Sequence, residues 1–132
     1  MSSESEANKA LIRAHYQATT NDFDPAAIDR QVGEDFYDHG AGMRMGPEGV
    51  KRHLTALHAA FPDLAVTIEE MVAEGPIVAV RATWRGTPAA SADGQPVQFG
   101  GMVFWRIADG KIRERWASID TAAAQPARAS AA

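Results

Sequence analysis

Apolar residues recur first at helical spacing and then at alternate positions, with the change falling near Pro62. Early in the chain Leu11, His15 and Ala18 form one stripe with Ile12 and Tyr16 beside it, so this face of a helix reaching about Thr20 is expected to be buried. Ser3 and Glu6 at its start fit a capping box. Asn21-Asp22-Phe23-Asp24 breaks the helix. Asp24 then caps a short second helix, with Pro25 at its first position and Gly33 at its end. Phe36–His39 reads as a brief strand, and the glycines of 40–46 suit a loop with unusual backbone angles. Pro47 opens a third helix carrying Val50, Leu54, Leu57 and Phe61, and Pro62 closes it.

Beyond Asp63 the period is two. The expected strands are Leu64–Ala73, Ile77–Arg85, Val97–Ile107 and Lys111–Asp120. Glu74-Gly75-Pro76 and Asp109-Gly110 supply turns, and 86–96 is a connection rich in Gly, Pro, Ser and Ala. Helices followed by a run of strands predict an α+β domain, with helices packed on one face of an antiparallel sheet. If that sheet bends strongly around the helices, it encloses a cavity lined by alternate strand residues. The domain is expected to span 1–120. Thr121–Ala132 is alanine-rich, holds Pro126 and offers no large apolar side chain, so it is expected to be a disordered tail.

The last strand carries the most suggestive chemistry. Under strict alternation Ile112, Glu114, Trp116, Ser118 and Asp120 share one face, and Lys111, Arg113, Arg115 and Ala117 the other. An indole, a hydroxyl and a carboxylate at every second position suit a pocket wall, where a carboxylate is costly to bury and therefore worth questioning. The alternative places Asp120 just past the sheet edge, in water.

Composition narrows the field further. With 132 residues, 45% hydrophobic and 23% charged, the chain is ordinary globular material for one domain. Seventeen acids against thirteen scattered bases give a net charge of −4, which does not recommend a nucleic-acid partner. The absence of cysteine excludes disulfides, cysteine nucleophiles and thiolate metal sites. No apolar run approaches the roughly 18 residues of a membrane span, and the acidic start is unlike a secretory signal, so a cytoplasmic protein is expected. The histidines at 15, 39, 53 and 58 form no i,i+4 pair, so no metal site is expected. The glycines of 40–46 lack the lysine pattern of a phosphate loop.

An ordered set of short motifs points to a family. Asp38-His39-Gly40, Gly46-Pro47-Glu48-Gly49-Val50-Lys51-Arg52 and Phe61-Pro62-Asp63-Leu64 come first. Val78-Ala79-Val80-Arg81, Arg85-Gly86-Thr87, Phe104-Trp105-Arg106-Ile107-Ala108-Asp109-Gly110-Lys111-Ile112, Glu114-Arg115-Trp116 and Asp120 follow. Over about residues 7–120 the chain resembles the SnoaL-type polyketide cyclases of the nuclear-transport-factor-2-like superfamily. The resemblance implies an α+β cone, with three helices on a strongly curved antiparallel sheet, dimeric through its outer face. It implies an intramolecular aldol ring closure on a polyketide-like substrate without metal or organic cofactor. It also implies that Asp120 is the acid/base and that His39 matches the family histidine. Around them Trp116, Tyr16, Met102 and Phe104 are the expected pocket residues, with Arg81, Ser118 and His53 as further substrate contacts. Three features depart from the family pattern: the short connection 88–96, Val103 where an Asp is frequent, and the alanine-rich tail in place of a leucine-rich helix.

Other readings compete. A ketosteroid-isomerase-like site would use Tyr16 and Asp38, but its second acid falls at Met102, leaving the donor pair incomplete and Tyr16 better suited to the core. An epoxide-hydrolase-like site lacks both carboxylates at Thr83 and Ser118. A non-catalytic ligand-binding or dimerising module of the same fold, with Met43, Met45, Met71 and Met102 as adaptable apolar contacts, is the main rival from another class.

Overall fold

The computed structural model describes residues 3–121 and 125–126. Helix α1 spans Ser3–Tyr16 and runs on into a π-helical turn, Gln17–Asn21. Asp24 accepts a hydrogen bond from the Ala27 N–H at the start of α2 (Pro25–Gln31), as expected of a cap. Strand β1 (Val32–Asp38) follows, then the two-residue β2 (Met43–Arg44) and α3 (Gly46–Ala60). The long strands are β3 (Ala65–Glu74), β4 (Ile77–Gly86), β5 (Val97–Ala108) and β6 (Lys111–Ile119). Among the described residues no helix is long and apolar enough to cross a membrane.

The curved, unclosed sheet has the order β2-β1-β6-β5-β4-β3. Neighbours are antiparallel except β1 and β6, which run parallel, so the sheet is mixed where an antiparallel one was expected. The chain reaches β1 before α3 and the long strands, and it lies on the free edge of β6 that the hairpins leave. The expected tail at 121–132 falls mostly outside the described residues. Within it Gln125–Pro126 form β7, which pairs with Val97 and Gln98 beyond the point where β6 leaves β5.

The core lies between the helices and the concave face. Ile12, Ile28, Val32, Val78, Val103 and Ile112 are fully buried there. Inward positions on β4 are Val78, Val80, Ala82 and Trp84, and on β5 Val103, Trp105 and Ile107. One irregularity decides which side chains of β6 join them. Ile107 is opposite Ile112, yet Arg106 is opposite Glu114, so Arg113 is an extra residue in the ladder. Such a bulge turns every later side chain to the other face. Arg115, opposite the buried Trp105, therefore points inward, and Trp116, opposite the exposed Phe104, points outward.

Candidate functional site

Between α1, α3 and the concave sheet lies a cavity of about 380 Å³, within the range of small-molecule sites. Phe36, Val50, Leu54, Leu57 and Phe61 form its apolar side toward β1 and α3. Across from them stand Trp84, Phe99 and Trp105, the first two stacked at 6.1 Å. Thr19 and Thr20, on the π-helical turn, add hydroxyls to the wall and share a hydrogen bond of 3.2 Å. His53 stands exposed on α3 at the rim.

The remaining polar groups gather around Trp105. His15 meets its ring edge-on at 5.3 Å, Tyr16 does so at 5.7 Å, and the Arg115 guanidinium carbon lies 5.6 Å from the ring centre. His15 Nδ1 is 2.8 Å from Gln31 Oε1, which places the ring hydrogen on Nδ1 and the lone pair on Nε2. Burial lowers the His15 pKa from 6.5 to about 4; the Gln31 hydrogen bond opposes that shift and the Arg115 charge adds to it. The Tyr16 oxygen accepts the Trp105 indole N–H at 3.3 Å. Burial raises the Tyr16 pKa to about 12, against smaller lowering effects of that bond and of Arg115. Arg115 Nη1 contacts both Asp38 oxygens, at 3.2 and 3.0 Å. Asp38 is buried, and its Oδ1 also accepts the N–H groups of Gly40 and Ala41.

Of the side chains expected at the site from sequence, Tyr16 and His53 line this cavity. The others belong to the outer face. Asp38 points inward, so His39, the next residue, lies outward, with its ring stacked on Trp116 at 4.6 Å and its Nε2 2.9 Å from Glu114 Oε2. Glu114 is also ion-paired with Arg106; the His39 and Arg106 hydrogen bonds hold its carboxyl below the usual range. Phe104 and Met102 are exposed on the same side as Trp116. Arg81, Met102, Ser118 and Asp120 do come together, but in a shallow outer groove floored by Gly100 and Gly101. Arg81 also pairs with Glu70 at 2.9 Å. The expected pocket wall on β6 is thus split by the Arg113 bulge: Ile112 faces the core, while Glu114, Trp116 and Ser118 share the convex face.

Arg115 was not expected in the cavity, nor was His15 assigned a role there, and Asp38 entered only through the ketosteroid-isomerase-like alternative. The signal for Asp38 was its alternation with Phe36, a large apolar residue on the same strand. Arg115 gave none, because only the bulge turns it inward. Among the described residues no three His, Asp or Glu side chains are grouped so as to hold a metal ion.

Comparison with known proteins agrees with this architecture. The family model described as SnoaL-like polyketide cyclase matches residues 10–127. A SnoaL-like polyketide cyclase from Agrobacterium tumefaciens is 25% identical with a TM-score of 0.77, over 88% of this chain and 93% of its own. IdmH from Streptomyces antibioticus, described as a proposed polyketide cyclase, is 25% identical with a TM-score of 0.78, over 87% and 93%. AclR from Streptomyces galilaeus, described as a proposed hydroxylase, is 26% identical with a TM-score of 0.71, over 86% and 88%. No curated protein matches the sequence.

Proposed function

We propose, from the premise that this chain belongs to the SnoaL-like polyketide cyclase family, that it closes a ring in a small enolisable polyketide-type molecule by a cofactor-independent aldol step. The observation that carries this reading is the inner cavity, whose apolar walls surround a few polar groups gathered at Trp105. In the step, a base removes a proton from a carbon flanked by carbonyls. The enolate carbon then bonds to a second carbonyl carbon, and the resulting alkoxide takes the proton back, so substrate and product are isomers. His15 is the base we assign. A pKa of about 4 keeps it neutral but makes it a weak base, so the step needs a carbon already made acidic by flanking carbonyls. Gln31 fixes the tautomer that leaves Nε2 as the proton acceptor. Tyr16 and Arg115 are the donors to the oxygen that gains charge.

A second assignment of the base has its own support. The family resemblance gives that role to Asp120, with His39 as polar partner. Ile119 and Thr121, on either side of Asp120, both line the cavity, while the Asp120 side chain lines the outer groove. In this reading a rotation of the chain at 119–121 brings the carboxylate to the mouth.

The reading includes a homodimer formed through the outer face, where Val72, Met102, Phe104 and Trp116 are exposed. Burying such a patch against a second copy removes apolar surface from water.

An aldol-cyclisation assay with an anthraquinone keto-ester precursor tests the function. Wild type is expected to turn over, and Leu57→Trp, which fills the cavity, to lose turnover. His15→Gln should slow the reaction by about 100-fold or more, the usual weight of a general base, while Asp120→Asn stays within a few-fold of wild type. The reverse ranking transfers the base to Asp120. Tight precursor binding without turnover makes the protein a binding module, and neither binding nor turnover rejects this substrate class.

A further inference from the structure

Arg115 is a cation on the otherwise apolar inner row of β6, where Ile112, Ala117 and Ile119 are its companions. Its side chain is only 21% exposed. Nη1 alone meets the Asp38 carboxylate, and among the described residues Nε and Nη2 have no protein acceptor. Asp38 is held from another side by the Gly40 and Ala41 N–H groups, which draw part of its charge away from the guanidinium. A Cβ at Gly40 would lie 3.1 Å from Asp38 Oδ1, so the glycine leaves room for this carboxylate. The Tyr16 hydroxyl, against the same Trp105 ring, accepts one hydrogen bond and among the described residues gives its own hydrogen to no protein group.

Among the described residues no buried side-chain nitrogen or oxygen lacks a hydrogen-bond partner, so these donors are open to the cavity, where an acceptor can reach them. A guanidinium with one nitrogen fixed by a carboxylate and its other edge open has the fork geometry that binds oxyanions at two points. The indoles of Trp84 and Trp105 and the ring of Phe99 supply flat apolar surface alongside it.

We infer that the cavity is built for a flat apolar acid: a molecule whose ionised oxygen group sits on the open edge of Arg115 and on the Tyr16 hydroxyl, with its body against Trp84, Trp105 and Phe99. This rests on the reading of the cavity as a polyketide-type site, and it narrows the substrate to one carrying a carboxylate or an ionised phenol or enol. Arg115 is the anchor. Asp38 is a positioning residue that acts through it.

Paired ligands test this, with binding followed by quenching of tryptophan fluorescence. Anthraquinone-2-carboxylate is titrated against its methyl ester, and 2-hydroxyanthraquinone against 2-methoxyanthraquinone. Wild type should bind at least one acid about 10-fold tighter than its methylated partner, as expected for a charged hydrogen bond. Which pair shows the preference identifies a carboxylate or a phenolate as the source. Arg115→Gln should bring that ratio close to one through loss of acid affinity, and Tyr16→Phe should narrow it. Equal binding within both pairs by wild type overturns the inference, as does a preference that survives in folded Arg115→Gln. If that variant does not fold, Tyr16→Phe decides: an unchanged ratio overturns the inference and a narrowed one supports it. If the Asp38–Arg115 pair is purely structural, Arg115→Gln lowers the melting temperature without moving the ratio, and the inference falls. Turnover of the keto-ester with no acid preference defeats this inference and leaves the cyclase reading standing. Acid preference without turnover does the opposite.

Discussion

His15 remains neutral across the physiological range because it is buried among aromatic rings; the Arg115 charge adds to this effect and the Gln31 hydrogen bond only partly opposes it. Its pKa is about 4 folded against 6.5 in an exposed histidine. Below 6.5 the unfolded chain therefore gains a proton that the folded chain refuses. The stability contribution is complete above pH 6.5 and is lost progressively as pH falls through the window down to about 4. The full difference amounts to about 3 kcal/mol. Wild type is thus expected to lose more stability than His15→Gln between pH 7 and pH 4.5, measured by urea unfolding at each pH. Parallel losses in the two proteins would sink this account. The sequence placed His15 on the buried stripe of α1, because helical spacing depends only on near neighbours. It did not reveal Gln31 as partner, sixteen positions on and brought near only when α2 packs against α1.

At the element scale, β5 and β6 pair closely near the cavity lip. Gly101 is opposite Ile119, and a Cβ at Gly101 would lie 2.7 Å from the Ile119 side chain and 3.0 Å from its Cα. That obstruction includes backbone, so it cannot be relieved by a rotamer change. Gly101→Ala should destabilise the fold by about 1–3 kcal/mol, the usual range for overpacking. Its neighbour offers the control: a Cβ at Gly100 meets only the Ala82 oxygen at 3.7 Å. Gly100→Ala is expected to be neutral or slightly stabilising by reducing unfolded-chain freedom. Thermal melts of the two variants check the contrast, and equal losses would contradict it. Strand and helix positions were legible because periodicity is local. The parallel pairing of β1 with β6 was not, because a brief strand near residue 37 carries no mark of its distant partner.

For the whole molecule, the outer sheet face exposes a group of large apolar side chains. Met102 and Phe104 are 60% and 51% exposed, beside Val72 and Trp116. The proposed homodimer predicts that wild type sediments as a dimer. Phe104→Glu, which places a charge in the middle of the patch, should sediment as a monomer while keeping the cavity and its ligand binding. A wild type that stays monomeric at high concentration removes the dimer. The sequence by itself determined the α+β class, the order of helices and strands, the buried stripes and the family, all of which follow from local spacing and ordered motifs. Only the tertiary structure decided which face of β6 looks inward. A single extra residue, Arg113, reverses the alternation beyond it, and a bulge is defined by the partner strand opposite, which no single-strand pattern contains. The carboxylate and cation of the cavity are therefore Asp38 and Arg115, while Trp116, Ser118 and Asp120 face away from it.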